Sequence, residues 1–509
     1  MSWSEGGESG GLALARRIGV LALVLLLVFG LRDATLGPDA KADDYAQYLL
    51  HARALVEGRP YADTGYLFSP LQWGVGPPVQ SPGYPLTVAP AFALLGEQAW
   101  IPDALSLLGA IAFVLLGGLY FGRIDPVSGA LSMMVTAVAL VQVHAIATPG
   151  PDLIFCALLW AVAWIADREG RWSWGRTTLL ALLAVMAVLY RIAALPLVPA
   201  FLAFGLLNWR EQGVKPWLAG VATGGAFAWV FLIFGASRVP APPQYVLDAL
   251  RTARSRAPEP KETGPAFVGL SENLSLYTRS AFELEAYPFP WKRLNQAYHL
   301  AASLPIAVGA GRWGMRRWRS FGVLLMFAYV CMLLLLSLRT DRYLWPVAPV
   351  IAFGLAAGTR ALLGWAMQRA ERARTGVVVL VMALAALTLG RVVRDPGPVP
   401  IRENADVAAM FAAVRREAGA RSVRVAFYKA RTLTWEVGVP AAPLAGSRVD
   451  EAVFQELAAL DLTHVIVGSL DGEAHLAVEQ WQRLVVEYPE RFQLVERSGD
   501  FALYRVLTS

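Results

Sequence analysis

Long apolar runs alternate with short basic ones along most of the chain. Runs such as Ile18 to Leu31, Leu105 to Leu119 and Val323 to Leu338 approach or reach the roughly 20 helical residues that cross a hydrocarbon core about 30 Å thick. The pattern predicts about eleven spans, at 15–33, 103–122, 127–146, 151–167, 176–190, 192–208, 215–236, 296–311, 320–338, 343–363 and 375–392. Between 176 and 208 two readings stay open, because Arg191 with Pro196 and Pro199 marks either a turn between two spans or a kink in one longer helix. The loops check the count. Those assigned to the cytoplasm carry Arg123; Arg168, Arg171 and Arg176; Arg210 and Lys215; Arg312, Arg316, Arg317 and Arg319; and Arg369, Arg372 and Arg374, whereas the short outer loops carry Arg191, Arg339 and Arg342. Basic residues are retained on the cytoplasmic side, so this alternation predicts a cytoplasmic N-terminus and an outer C-terminus.

Three segments break the pattern. Residues 34–102 are too polar and too rich in Pro and Gly to cross as a whole, but the apolar run Leu86 to Leu95 suits a helix lying at the interface. From Ser237 to Trp291 an outer stretch opens with Pro240, Pro242 and Pro243, which exclude regular helix there. From Asp395-Pro-Gly-Pro onward the composition turns soluble. Helical periodicity over Asp406–Ala418 and Glu479–Glu487 alternates with β-like runs at Val423–Tyr428 and His464–Val467, and Phe492–Glu496 and Phe501–Val506 flank a Ser-Gly-Asp turn. About a hundred residues can bury a core, so a small α/β domain is expected at 395–509, after a membrane domain at 1–394 with outer loops 34–102 and 237–292.

Composition narrows the class further. With 56% hydrophobic and 17% charged residues, too little polar surface remains to cover a soluble body of 509 residues. The net charge of +6 does not signal nucleic acid, since the basic residues sit in loop clusters between spans. Cys156 and Cys331 lie inside apolar segments, which excludes a disulfide framework and a thiolate metal site. Arg16 and Arg17 precede an apolar stretch that lacks an A-x-A cleavage site, so a retained first helix is expected. No Walker loop, Rossmann glycine fingerprint, histidine metal cluster or serine-histidine triad spacing is visible. Asn273-Leu-Ser275 fits a glycosylation sequon, a pattern too short to weigh.

The candidate chemistry gathers on the outer side. The first outer loop contains Asp43-Asp44-Tyr45-Ala-Gln-Tyr48, Gly58-Arg-Pro-Tyr61 and Ser81-Pro-Gly-Tyr84-Pro-Leu. Two adjacent carboxylates there serve as a general base or hold a divalent cation, or are simply solvated. At the start of a span, Asp152 is stabilised by the helix dipole whether or not it has a catalytic or metal role. His144, near the outer end of the preceding span, is a packing histidine or joins Asp152. Arg342 and Arg191 either snorkel to lipid headgroups or fork onto a phosphate, and Tyr343 is either an interfacial aromatic or part of the same group.

The runs Asp44-x-x-x-Tyr48-Leu, Ala52-x-x-Leu55-x-x-Gly58-Arg-Pro-Tyr61, Pro82-Gly-Tyr84-Pro-Leu and Ala89-Pro resemble the first outer loop of the GT-C superfamily, which includes protein O-mannosyltransferases and lipid A aminoarabinose transferases. Thr148-Pro-Gly-Pro-Asp152 is similar to the family's second acidic position, and Arg342-Tyr343-Leu-Trp-Pro346 to its arginine-tyrosine signature opening a late span. The resemblance implies a polytopic α-helical membrane protein of GT-C type with a small soluble α/β domain at its C-terminus. It also implies transfer of a hexose or pentose from a polyprenyl-phosphate donor to a lipid, glycan or protein acceptor on the outer face of the inner (plasma) membrane. Asp44 is then the base, with Asp43 second since Asp-Asp replaces the usual Asp-Glu; Arg342, Arg191 and Tyr343 hold the donor phosphate; and Asp152 and His144 form a second acidic or metal site. No cofactor is required, although a divalent ion (Mg or Mn) at Asp43, Asp44 and Asp152 is compatible with the layout. The rival class is a transporter or lipid flippase, for which the paired internal repeats and midplane charges are lacking. A third reading, the tail as a sensor with the spans as its anchor, leaves so many spans unexplained.

Overall fold

The structure, a computed structural model, describes residues 5–36, 43–69, 79–236, 292–335, 341–367, 370–394, 403–444, 450–469 and 476–507. The Pro-rich stretch from Ser237 to Trp291 with Asn273, Arg339, Arg369 and the Asp395-Pro-Gly-Pro linker lie outside the described residues. Helices α1 (Glu5–Leu36), α2 (Asp44–Val56), α3 (Gly83–Leu95), α4 (Trp100–Gly122), α5 (Pro126–Gln142), α6 (Asp152–Ala166), α7 (Trp174–Tyr190), α8 (Leu197–Leu207), the single turn α9 (Trp209–Gln212), α10 (Lys215–Ala236), α11 (Lys292–Arg316), α12 (Phe321–Leu335), α13 (Ala348–Met367) and α14 (Ala370–Val392) precede the tail. The tail runs α15 (Ala405–Ala420), β1 (Val425–Ala426), α16 (Ala430–Val437), β2 (Ala441–Ala442), α17 (Asp450–Ala459), β3 (His464–Val467), α18 (Leu476–Glu487), β4 (Phe492–Ser498) and β5 (Phe501–Val506).

Over the described residues each expected span overlaps a helix, although 192–194 and 343–347 form 3-10 turns and 143–146 lie beyond the end of α5. Among the described residues four helical stretches are long and apolar enough to cross a membrane by length and composition: Gly11–Ala34, Trp100–Gly122, Arg342–Trp365 and Arg374–Val392. Others, including Pro126–Gln142, Asp152–Ala166 and Trp174–Tyr190, are apolar but shorter. The open question at 176–208 resolves into a break: Arg191 is extended (φ −150, ψ 132), and a 3-10 turn at Ile192–Ala194 separates α7 from α8.

The chain divides into two compact units, Met1–Thr35 with Pro102–Gly397, and Leu36–Ile101 with Pro398–Ser509. Within the first, α11 packs on α13, α13 on α5 and α14, and α10 on α7 and α8. The α11–α13 crossing is a contact of backbones. A methyl group on Gly358 would run into the carbonyl oxygen of Pro305, and one on Gly309 into that of Gly354, the close approach that small residues permit between membrane helices.

The second unit is a three-layer sandwich that includes the segment expected to form the first outer loop. Its sheet has the order β2-β1-β3-β5-β4, with β1 parallel to β2 and β3, and β5 antiparallel to β3 and β4. Alternation along the strands sorts the core into two faces. Val425, Phe427, Ile466 and Leu503 pack with Val407, Phe411 and Val414 of α15 and Leu433 of α16. Ala426, Val465 and Val467 pack with Val453 of α17 and with Trp481 and Leu484 of α18. The expected Ser-Gly-Asp turn joins β4 to β5, with Gly499 at a positive φ of 51°. Loop residues 65–67 lie along β2: Leu67 N–H donates to the Ala441 carbonyl (2.8 Å), Ala441 N–H to that of Gly65 (3.1 Å), and Tyr66 enters the α15 face of the core. Gly65 has φ +78, a left-handed conformation that favours glycine. The run Leu86 to Leu95 is helical, burying Tyr84, Val88 and Phe92 while leaving Leu86, Leu94 and Leu95 exposed, the apolar surface an interfacial helix needs.

Candidate active site

In the second unit Asp43 and Asp44 stand where the chain enters α2. Asp43 occupies the N-cap position of α2 but gives it no side-chain cap. Instead its Oδ1 accepts from both the backbone N–H and the hydroxyl of Thr432, each at 2.9 Å. Thr432 is the third residue of α16, whose own N-cap, Lys429, supplies no side-chain hydrogen bond. Asp43 therefore caps α16 from a distant part of the chain, satisfying a donor that a helix start leaves open. Its Oδ2 is buried and, among the described residues, accepts no hydrogen bond. Burial pushes the Asp43 carboxyl above the usual carboxylate range, against the opposing pull of Arg431 and of the Thr432 hydrogen bonds.

Asp44 has the opposite environment. Its side chain is 41% exposed, and its Oδ1 accepts from a terminal nitrogen of Arg431 at 2.7 Å. The Arg431 side chain is itself fully buried, with its guanidinium 4.8 Å from the centre of the Tyr66 ring. An unpaired guanidinium in that position would cost several kcal/mol, so the acidic pair and the ring face are what allow it to be buried. The remaining loop motifs brace α2. Neutral His51 donates through Nδ1 to the Tyr61 carbonyl (2.7 Å), accepts at Nε2 from Gln80 N–H (3.1 Å) and stacks on the Tyr61 ring at 4.2 Å. That arrangement assigns one tautomer, in which Nε2 faces two donors, the Gln80 N–H and the Gln47 amide (3.3 Å), and burial depresses the His51 pKa to about 4.

In the first unit Asp152 opens α6 and pairs with Arg191, both side chains mostly buried. The guanidinium of Arg191 lies 5.8 Å from the centre of the Tyr343 ring. Three of the candidate residues, Asp152, Arg191 and Tyr343, thus form one group. Arg342 is half-buried in the 3-10 turn Asp341–Val347, and the Tyr343 carbonyl accepts from the Tyr329 hydroxyl at 3.0 Å. His144 pairs through Nδ1 with Asp33 Oδ1 at 3.1 Å. Asp33, wholly buried near the end of α1, escaped the sequence reading, as did Arg431 and Thr432. His144 has φ +47, a strained backbone for a residue with a side chain.

Among the described residues no group of three or more His, Cys, Asp or Glu comes together that could hold a metal ion. One oxygen of each acid in the Asp43–Asp44 pair is engaged by a protein donor, Asp44 Oδ1 by Arg431 and Asp43 Oδ1 by Thr432.

No family model matches the sequence, and no curated protein matches it. Solved structures do match by fold. The chain is similar to ArnT from Cupriavidus metallidurans in the apo state, with 11% identity, 96% of this chain and 97% of that one covered, and a TM-score of 0.57. The same protein bound to undecaprenyl phosphate aligns over 96% and 98% at 11% identity with a TM-score of 0.54. The archaeal oligosaccharyltransferase AglB from Archaeoglobus fulgidus, in complex with an inhibitory peptide and a dolichol-phosphate, aligns over 88% of this chain and 69% of its own at 12% identity and a TM-score of 0.53. The chain shares its fold with ArnT and AglB.

Proposed function

We propose that the protein is a membrane glycosyltransferase that moves a hexose or pentose from a polyprenyl-phosphate donor to a lipid, glycan or protein acceptor at the outer face of the inner membrane. The observation that carries this reading is the fold likeness over nearly all of both chains to ArnT, which was solved with undecaprenyl phosphate bound. That likeness also supports the transferase reading over a transporter or flippase. The chain threads the membrane about eleven times in this reading, with a cytoplasmic N-terminus and an outer tail.

Asp44 is the general base. Its side chain is 41% exposed and so reachable by an acceptor, whereas one oxygen of Asp43 is buried and the other is engaged by Thr432. Asp44 takes the proton of the acceptor hydroxyl as that oxygen attacks the anomeric carbon; the bond from that carbon to the lipid phosphate oxygen breaks, and one displacement inverts the centre. The departing polyprenyl phosphate is a weak base and leaves without protonation by a strong acid. Arg342 forks onto the donor phosphate. Arg191, its charge balanced by Asp152, shapes that phosphate site with Tyr343. No step uses a metal ion.

Transfer of radiolabelled sugar from a polyprenyl-phosphate donor by the purified protein in detergent tests the reading. Asp44→Asn is expected to lower turnover by a factor on the order of 10² to 10⁴ per folded molecule. Asp43→Asn, whose amide oxygen still accepts from Thr432, should do less. Normal transfer by both variants and by the double variant would refute the mechanism; an active Asp44→Asn beside a dead Asp43→Asn would exchange the two roles.

A further inference from the structure

We propose that Arg431, a residue of the C-terminal tail, is a positioning residue for the transfer reaction, holding the Asp44 carboxylate in one orientation from behind while its outer face meets the acceptor. The inference rests on the reading of Asp44 as the base. It starts from an asymmetry in one ion pair: Arg431 is 0% exposed and Asp44 41%, so a fully buried cation holds one oxygen of a carboxylate whose side chain still reaches solvent. The guanidinium is itself held. Tyr66 covers it at 4.8 Å, and the Tyr66 backbone is tied to the sheet edge through the bonds of Leu67 and Gly65 to Ala441. The next residue, Thr432, grips Asp43 with two donors, so consecutive residues of α16 hold consecutive acids of α2.

Stability alone is a poor reason for this arrangement. A buried arginine paired to a half-exposed acid gains little over an apolar pair of the same volume, because the guanidinium loses its water. Fixing a base to within a fraction of an ångström is a catalytic gain, since a small misplacement of a reacting group is enough to cost a large factor in rate. The tail is then part of the catalytic machinery.

The experiment compares full-length wild type, Arg431→Gln and Arg431→Lys in the sugar-transfer assay, with kcat, donor KM and the pH profile of kcat measured on protein whose thermal unfolding is cooperative. Among the described residues, the titratable groups that interact with Arg431 are Asp43, Asp44, Tyr48, Tyr66 and His51. The profiles are repeated in a His51→Gln background to remove the only histidine among them. Arg431→Gln is expected to keep the donor KM, to lose at least about tenfold in kcat at neutral pH, and to move the acid limb upward by about one unit, because a carboxylate deprived of an adjacent cation holds its proton to higher pH. Arg431→Lys should fall between wild type and Arg431→Gln in both respects, since the ammonium keeps the charge without the planar fork. A folded Arg431→Gln with wild-type kcat and an unmoved acid limb overturns the proposal. If that variant does not fold, Arg431→Lys decides: wild-type kcat with an unmoved limb overturns the proposal equally. A wild-type protein with no transfer from any polyprenyl-phosphate donor would instead overturn the functional reading, and this proposal with it.

Discussion

Replacing His51 with glutamine should flatten the acid side of the stability profile of the unit that joins the first outer loop to the tail. Neutral His51 donates to the Tyr61 carbonyl and accepts from Gln80 N–H, so a proton added at Nε2 would point at a donor inside the core. Burial therefore lowers its pKa to about 4, against 6.5 in the unfolded chain. Between those values the unfolded state binds the proton and the folded state does not, so stability falls as pH falls. At about 1.4 kcal/mol per pH unit the loss reaches about 2 kcal/mol at pH 5 and about 3 kcal/mol by pH 4, where it levels off. Asp43 acts in the opposite direction. Its raised pKa makes the folded state the better proton binder, so its protonation on acidification favours folding. That contribution remains in His51→Gln and cancels when the two proteins are compared. Hydrogen exchange read on peptides of α2 and α16 in the full-length protein in detergent, corrected for the intrinsic pH dependence of exchange, measures the opening free energy at each pH. Equal slopes for wild type and His51→Gln between pH 6.5 and 4.5 would show that His51 is not held neutral by its surroundings, and the argument would fail.

Arg342→Lys keeps the charge and loses the bidentate fork, so affinity for a polyprenyl-phosphate donor should fall severalfold and fall further in Arg342→Ala; unchanged affinity in both removes Arg342 from the phosphate site. A reporter active only in the cytoplasm, fused after Ser509, should stay silent; strong activity there contradicts an outer tail and the span count behind it.

Much of the architecture was legible because the solvent dictates it. A backbone in hydrocarbon must bond to itself, so apolar runs long enough to span become helices, and over the described residues each predicted run overlaps one. The alternation of strands and helices in the tail, and the turn at Ser498-Gly499-Asp500, were legible for a similar local reason: side-chain period and glycine freedom act within a few residues. The pair Asp43-Asp44 could be singled out because two adjacent carboxylates need an explanation wherever they occur.

What those acids touch could not be read that way. Arg431 lies 387 positions from Asp44, and nothing around Ala430-Arg431-Thr432 marks it as different from any other helix start. The same holds for Asp33, which an apolar helix carries to His144, 111 positions on. The sequence by itself determined the helices, the order of elements in the tail and the place of the acidic pair, since each is set by local periodicity and by the cost of exposing apolar groups or burying polar ones. Only the tertiary structure decided that loop residues 65–67 lie along β2 within the tail's own sheet, that Asp43 caps α16, and that Asp44 rests on a buried guanidinium. Ion pairs and caps between distant segments depend on side-chain position rather than on spacing along the chain, and a linear pattern carries no record of them.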